Sequence, residues 1–317
     1  MTMVDAVRSR TGTAIAAGAL ACVIVGGSVP VVGLLDAYPV LSGQAARYAL
    51  GGLVLVAWAR LRRIPLPRPR GRDLLSLVGL AATGMLGFNA CLLLAQRSAE
   101  PGFVAAVIGG TPLVLALIAP LLAGRRPAPA TILGAMLVVG GIVVLSGGGS
   151  WRGPGLLLAV LTLLCEASFT LLAVGVIGRL GGFAVSTWCC LLAAALGGLA
   201  APLLDGPVWR LPSLQESIAL LILAVLTTAI GFCCWYRAVS DLGADRAGVL
   251  IGLMPVSGLT LSVALGAQPL TLISTAGIML VTTGCVLGLH RRRTQLSTTH
   301  QLSTAPPIPR SIVGGHR

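Results

Sequence analysis

Ten apolar runs, each about as long as a bilayer is thick, divide this chain of 317 residues, with short polar stretches between them. In hydrocarbon every backbone polar group must be satisfied within its own segment or within a closed barrel, and about 20 consecutive apolar residues provide the helical solution. The runs lie near 12–35, 40–59, 74–96, 102–123, 129–147, 155–180, 183–204, 217–238, 246–266 and 270–290. The roughly ten-residue alternation that marks an outer-membrane barrel is absent. The fold class that follows is an all-α integral membrane bundle of ten transmembrane helices.

Charge fixes an orientation for these runs. Only 10% of the residues are charged, and all 22 basic residues are arginines, giving a formal net charge of +13. They sit in the connections, where arginine sets topology and meets anionic headgroups, so no nucleic-acid partner is expected. Arg60, Arg62, Arg63, Arg68, Arg70 and Arg72 share one connection with Pro65, Pro67 and Pro69, which forbid a helix and predict an extended surface segment. With both termini in the cytoplasm, sixteen arginines in the loops and flanking the first and last spans lie inside and three, Arg97, Arg152 and Arg210, lie outside. The resulting division is a cytoplasmic head over 1–11, two five-span units over 12–147 and 155–290, and a disordered cytoplasmic tail over 291–317.

Several function classes are excluded on composition. The three histidines, His290, His300 and His316, all lie at or beyond the end of the last span and there is no lysine, so a membrane-embedded enzyme is only a remote alternative, with no catalytic residue, metal or other cofactor expected. No GxxxxGK[ST] stretch exists to cradle phosphates, which rules out ATP-driven transport within this chain. The first run resembles a signal peptide, but nine further spans favour a retained helix. All eight cysteines fall inside apolar runs without CxxC spacing and read as small buried residues; lipidation of Cys22 is not expected.

The chain carries an internal repeat. Gly134 to Val144 lies over Gly277 to Leu287 with identity at six of eleven positions, and the same shift of 143 residues carries Gly109 onto Gly252 and Pro112 onto Pro255. Each unit then holds five spans, and an odd number turns the second copy upside down, the arrangement in which transporters place a substrate site between the repeats. Pro112 and Pro255 each fall near the middle of a span. A proline frees a backbone carbonyl one turn earlier, so these are either cavity-lining kinks or plain packing kinks.

Four polar side chains, Ser28, Arg47, Asn89 and Glu166, lie in the outer half of the membrane when depth is counted at about 1.5 Å per residue. A charged group at the bilayer centre costs about 2.5–3.5 kcal/mol on insertion scales and survives facing protein or a water-filled path. Glu166 is therefore either a buried carboxyl kept neutral by a neighbour or a protonation or substrate-amine site. Desolvation favours its neutral form and a nearby Arg47 would favour the ionised form, so relative movement of the second and sixth spans would switch it. Arg47 lies within snorkelling reach of the headgroups. Asn89 and Ser28 are either helix–helix contacts or ligand contacts. Thr227 and Thr228 are further candidates, and Trp235-Tyr236 reads as an interfacial anchor.

In this order the landmarks resemble an EamA-type member of the drug/metabolite transporter superfamily over residues 12–290. Gly27-Ser28 is similar to the family's Trp-Gly-Ser motif with Gly26 in the Trp position, and Ala46-Arg47-Tyr48 to its second-span Arg. Thr111-Pro112 and Met254-Pro255 resemble its paired prolines, and Cys165-Glu166-Ala167 a subset with Glu at that place. The Gly-Glu that usually ends spans four and nine is replaced by Gly124-Arg125 and Gly266-Ala267, so the resemblance does not reach a substrate subgroup. It implies secondary transport of small organic solutes, most often efflux of amino acids or other metabolites across a bacterial cell membrane, with proton coupling a further possibility. A lipid or lipid-linked-sugar flippase is the alternative. With the inverted repeat, it also implies a midplane site lined by spans one to four and six to nine. Spans five and ten are then scaffold and a homodimer contact through Gly134, Gly141, Gly277 and Gly284.

Overall fold

The computed structural model describes residues 3–35, 37–147, 149–205, 210–264, 266 and 269–290. Among the described residues, ten helices are long and apolar enough to cross a membrane. They are α1 (Ser9–Gly33), α2 (Val40–Arg62), α3 (Gly71–Gln96), α4 (Gly102–Leu122), α5 (Pro129–Ser146), α6 (Gly155–Leu180), α7 (Gly182–Leu203), α8 (Leu214–Leu242), α9 (Ala244–Ala264) and α10 (Leu272–Leu289). The helix that carries α1 begins at Met3, so the polar head expected over 1–11 is helical from that point. The tail over 291–317 lies outside the described residues.

The shift of 143 residues governs the backbone as well as the sequence. Pro129–Ser146 and Leu272–Leu289 have the same bounds once shifted. So do two π-helical stretches, Leu80–Gly87 inside α3 and Leu223–Ile230 inside α8. A π turn is rare and is found mostly as an insertion at functional positions, so its occurrence at matching places in both halves is a feature of the repeat. The first helix of each half crosses into the other: α1 packs on α8 and α9, and α6 packs on α3 and α4. In the same manner α2 lies against the π stretch of α8 and α7 against that of α3. The halves are therefore interlocked around the pair α2–α7.

The most intimate pair is α5 with α10. A Cβ on Gly134 would stand 2.6 Å from the Gly284 carbonyl oxygen and 2.5 Å from the Gly288 nitrogen, and one on Gly141 would stand 2.8 Å from the Gly277 carbonyl oxygen. Small residues allow such backbone approach and the dispersion contact it brings. The glycines expected to join two copies of the chain are thus buried within one copy, because the helix that covers the small-residue face of α5 is its own repeat mate.

Capping explains the helix ends. Ser213 Oγ accepts from the Glu216 N–H at 3.2 Å while Glu216 Oε2 accepts from the Ser213 N–H at 2.7 Å, so α8 starts before its apolar run does. Asp205 beyond the end of α7 accepts from the N–H groups of Leu41 and Ser42 at 3.2 and 2.7 Å, which caps α2 and ties the two central helices together. The Arg/Pro connection has no regular structure over 64–70 and is fastened where Trp188 Nε1 donates to the Pro67 carbonyl at 3.0 Å.

Candidate functional site

Arg47 points from α2 into the π stretch of α8. Its Nε donates to Thr228 Oγ1 at 2.8 Å and its Nη2 to Thr227 Oγ1 at 2.9 Å. Thr227 and Thr228 are themselves buried, and the Thr227 hydroxyl donates to the Leu223 carbonyl at 2.5 Å. The guanidinium carbon also lies 5.5 Å from the centroid of the Tyr48 ring. Arg47 is thereby anchored across the boundary between the two halves and does not extend to the headgroups.

Asn89 joins the same group from α3. Its Nδ2 donates to the Met85 carbonyl, within the first π stretch, at 2.6 Å and to the Tyr48 hydroxyl at 3.4 Å. Tyr48 begins an aromatic row, with ring centroids 6.5 Å from Tyr48 to Phe232, 4.8 Å from Phe232 to Phe169 and 5.2 Å from Phe169 to Tyr236. Aromatic residues are scarce in this chain, yet two of its three tyrosines and two of its five phenylalanines meet here. Glu166 stands three residues before Phe169 on α6, hence on the same face of the helix. It is half-buried. No ion pair or hydrogen bond of its side chain occurs among the described residues.

Of the four candidate polar residues, then, Arg47 and Asn89 converge on Tyr48, and Glu166 stands one helical turn before Phe169 of the same aromatic row. Ser28 stays apart. It occupies the turn that breaks α1 after Gly27, and its hydroxyl donates to the Val25 carbonyl at 2.7 Å. The residue that matters on that stretch is Gly26, whose Cβ would fall 2.0 Å from the Met254 carbonyl oxygen, so α1 and α9 touch backbone to backbone where the family pattern has a Trp.

The mid-span prolines mark real breaks. In α4 the helix stops at Ile108 and restarts at Thr111; in α9 a 3₁₀ turn, Leu250–Gly252, precedes the segment that holds Pro255. Pro112 cannot donate to the Ile108 carbonyl, and the Thr111 hydroxyl does so instead at 2.7 Å. The freed carbonyl at that break is therefore satisfied locally.

Trp235 and Tyr236 correct the reading of an interfacial anchor. They are 6% and 0% exposed. Trp235 Nε1 donates to Thr170 Oγ1 at 3.1 Å and the Tyr236 hydroxyl to the Phe169 carbonyl at 3.2 Å, so both fasten α8 to α6. An ion pair joins α6 to α3 further along: Asp73 of α3 accepts from Arg179 of α6, through Nη2 and, at 3.2 Å, through Nε.

Comparison with known proteins agrees with this architecture. The EamA-like transporter family matches the chain twice, over residues 12–147 and 153–289. The uncharacterized transporter YetK of Bacillus subtilis (strain 168) is 26% identical over 281 residues, 85% of this chain and 83% of that protein. The uncharacterized transporter YdeK of the same organism is 27% identical over 250 residues, 77% of this chain and 86% of its own. One solved crystal structure shares the fold, with a TM-score of 0.77 at 23% identity, covering 92% of this chain and 99% of that one. With both halves matched by the family and ten spans arranged as its two repeats, the chain belongs to the EamA-like transporter family and is a multi-pass membrane transporter.

Proposed function

We propose that this transporter exports small organic solutes across the cell membrane in exchange for protons, with both termini in the cytoplasm. The observation that carries this reading is Glu166, a half-buried mid-span carboxyl without a partner among the described residues, at the edge of an aromatic and polar set drawn from both halves. A carboxyl so placed alternates between a neutral and an ionised form as its surroundings open to water on one side or the other. Five spans in each half turn the second copy over, which supplies two related ways of opening around one site. Both halves meet at Arg47, Thr227 and Thr228, where rocking would have to break or preserve the cross-boundary bonds.

The test is transport by purified protein in vesicles, offered a mixture of bacterial metabolites under an imposed pH gradient. One or more solutes should accumulate only while the gradient lasts. If no solute in the mixture moves with or without the gradient, the reading fails.

A flippase is the second reading, favoured by a groove of about 440 Å³ between α1 and α9 lined by Val23, Gly27, Leu253, Val256, Ser257 and Thr260, among others. Its lining is almost wholly apolar and suits an acyl chain better than a headgroup. Rapid movement of a fluorescent phospholipid between leaflets, with no movement of metabolites, would decide for it.

A further inference from the structure

We infer that Arg47 binds the carboxylate of an organic anion through the edge of its guanidinium that the protein leaves free, an inference that rests on reading the chain as a carrier of small organic solutes. A guanidinium holds five N–H donors in one plane. Thr228 and Thr227 take one each from Nε and Nη2, the two nitrogens of one edge. The other edge, formed by Nη1 and the second hydrogen of Nη2, has no partner among the described residues. Arg47 is half-buried, yet its Nη1 is not closed off from solvent, so the free edge faces open space. Two parallel N–H groups match the two oxygens of a carboxylate.

The charge is unmet as well. Asp245 is taken by Arg125, Asp73 by Arg179, Glu216 by Arg210 and Asp241 by Arg237, and no ion pair of Arg47 occurs among the described residues. Its fixed neighbours are two neutral hydroxyls and, 5.5 Å from the guanidinium carbon, the Tyr48 ring. A cation inside a membrane span is costly without an anion beside it. One guanidinium balances one carboxylate, whereas a phosphate monoester carries about 1.5 to 2 negative charges near neutral pH and would leave an excess. On the same face of α2, one turn before Arg47 and Tyr48, the Gln44 Oε1 atom is buried without a hydrogen-bond partner, so a second polar group here is incomplete within the protein. The two threonines are particular to this half. At the matching positions of the π stretch in α3 stand Gly84 and Met85, so the repeated backbone does not itself call for hydroxyls; here they aim the arginine.

The experiment measures binding of 3-phenylpropionate, succinate and L-leucine to the purified full chain, each beside its amide, 3-phenylpropanamide, succinamide and L-leucinamide, with inorganic phosphate as a rival anion. At least one carboxylate should bind saturably and about tenfold or more tightly than its amide, and an equal concentration of phosphate should not displace it. Arg47→Gln should abolish the preference for carboxylate over amide, and Thr228→Val, which releases one end of the anchored edge, should reduce it severalfold in a protein of wild-type thermal stability. A purely structural role for Arg47 would lower both affinities and leave their ratio unchanged. If Arg47→Gln does not fold, the wild-type comparison and Thr228→Val decide. Failure of all three carboxylates to bind, equal affinity for a carboxylate and its amide, displacement by phosphate, or a wild-type preference in either variant would overturn the inference. Carboxylates that bind through Arg47 but are not moved by reconstituted protein under a pH gradient would leave anion recognition standing and count against proton-coupled export. Gradient-driven movement of solutes without a carboxylate, with no carboxylate bound, would do the reverse.

Discussion

Asp73 and Glu216 occupy the same place in the two halves, 143 residues apart, and each joins a helix start to an arginine. Asp73 accepts from the Arg70 N–H at 2.7 Å and from Arg179 of α6. Glu216 accepts from the Ser213 N–H at 2.7 Å and from both terminal nitrogens of Arg210, with the Nη1 contact at 2.7 Å. Arg210 also donates to the Ala37 carbonyl at 3.2 Å and lies 5.0 Å from the Tyr38 ring, so it holds the α1–α2 connection against the start of α8. One fastening sits at each end of the molecule, as two copies of one device turned over would place them.

The Asp73–Arg179 fastening is intermediate between a surface pair and a buried one, with side chains 11% and 34% exposed. Breaking it should therefore cost about 2 kcal/mol, between the values usual for those two classes. Asp73→Asn and Arg179→Ala should lower thermal stability in detergent by similar amounts, and the double variant by little more than either. Simple addition of the two losses would show that the pair does not act as a unit.

The α5–α10 contact gives a paired prediction. Gly134→Val places a side chain where backbone already stands, whereas Gly140 has nothing within 4 Å of its Cβ position. Gly134→Val should abolish or sharply reduce recoverable folded protein, and Gly140→Val should leave yield and melting temperature near wild type. Equal behaviour of the two variants, read by size-exclusion chromatography, would contradict the packing described.

Arg47 holds α2 to α8 with a fork that lysine cannot reproduce. Arg47→Lys keeps the charge but loses the paired geometry toward Thr227 and Thr228. It should reduce the transport rate at least tenfold, and Thr228→Val, which removes one acceptor at nearly constant volume, should reduce it severalfold. Wild-type rates in both would show that the cross-boundary bonds are incidental.

Orientation is tested separately, from the arginine partition. A cysteine placed at Ser150 should react with a membrane-impermeant thiol reagent applied outside intact cells, and one at Gly71 should not. The reverse pattern would turn the whole molecule over.

Much of this architecture is legible in the sequence because the membrane allows so few alternatives: a run such as Gly155–Leu180, with Glu166 and Arg179 its two charged residues, has no option but a helix. What the runs do not reveal is which face meets which helix. The glycines of α5 and α10 read as a contact surface, and they are one, but the partner is internal. Trp235 and Tyr236 stand beside Arg237 and Asp241, which pair with each other at 3.5 Å, so their neighbourhood reads as a membrane boundary although both rings turn toward α6. Thr227 and Thr228 gave little signal, since threonine in an apolar helix ordinarily bonds its own backbone; their role depends on the π stretch presenting both hydroxyls to Arg47. Arg47, Asn89 and Glu166 were visible because polar groups are costly in such runs. The convergence of Arg47 and Asn89 on Tyr48 is a tertiary fact.

The central claim is that Glu166 links solute movement to protons. Glu166→Gln has the shape of the neutral form and cannot ionise, so the reconstituted variant should still exchange labelled solute across the membrane at equal pH on both sides. Under an imposed pH gradient, wild-type protein should concentrate solute against its own gradient and Glu166→Gln should only equilibrate it. Concentrative, gradient-dependent transport by Glu166→Gln at the wild-type level would contradict the account.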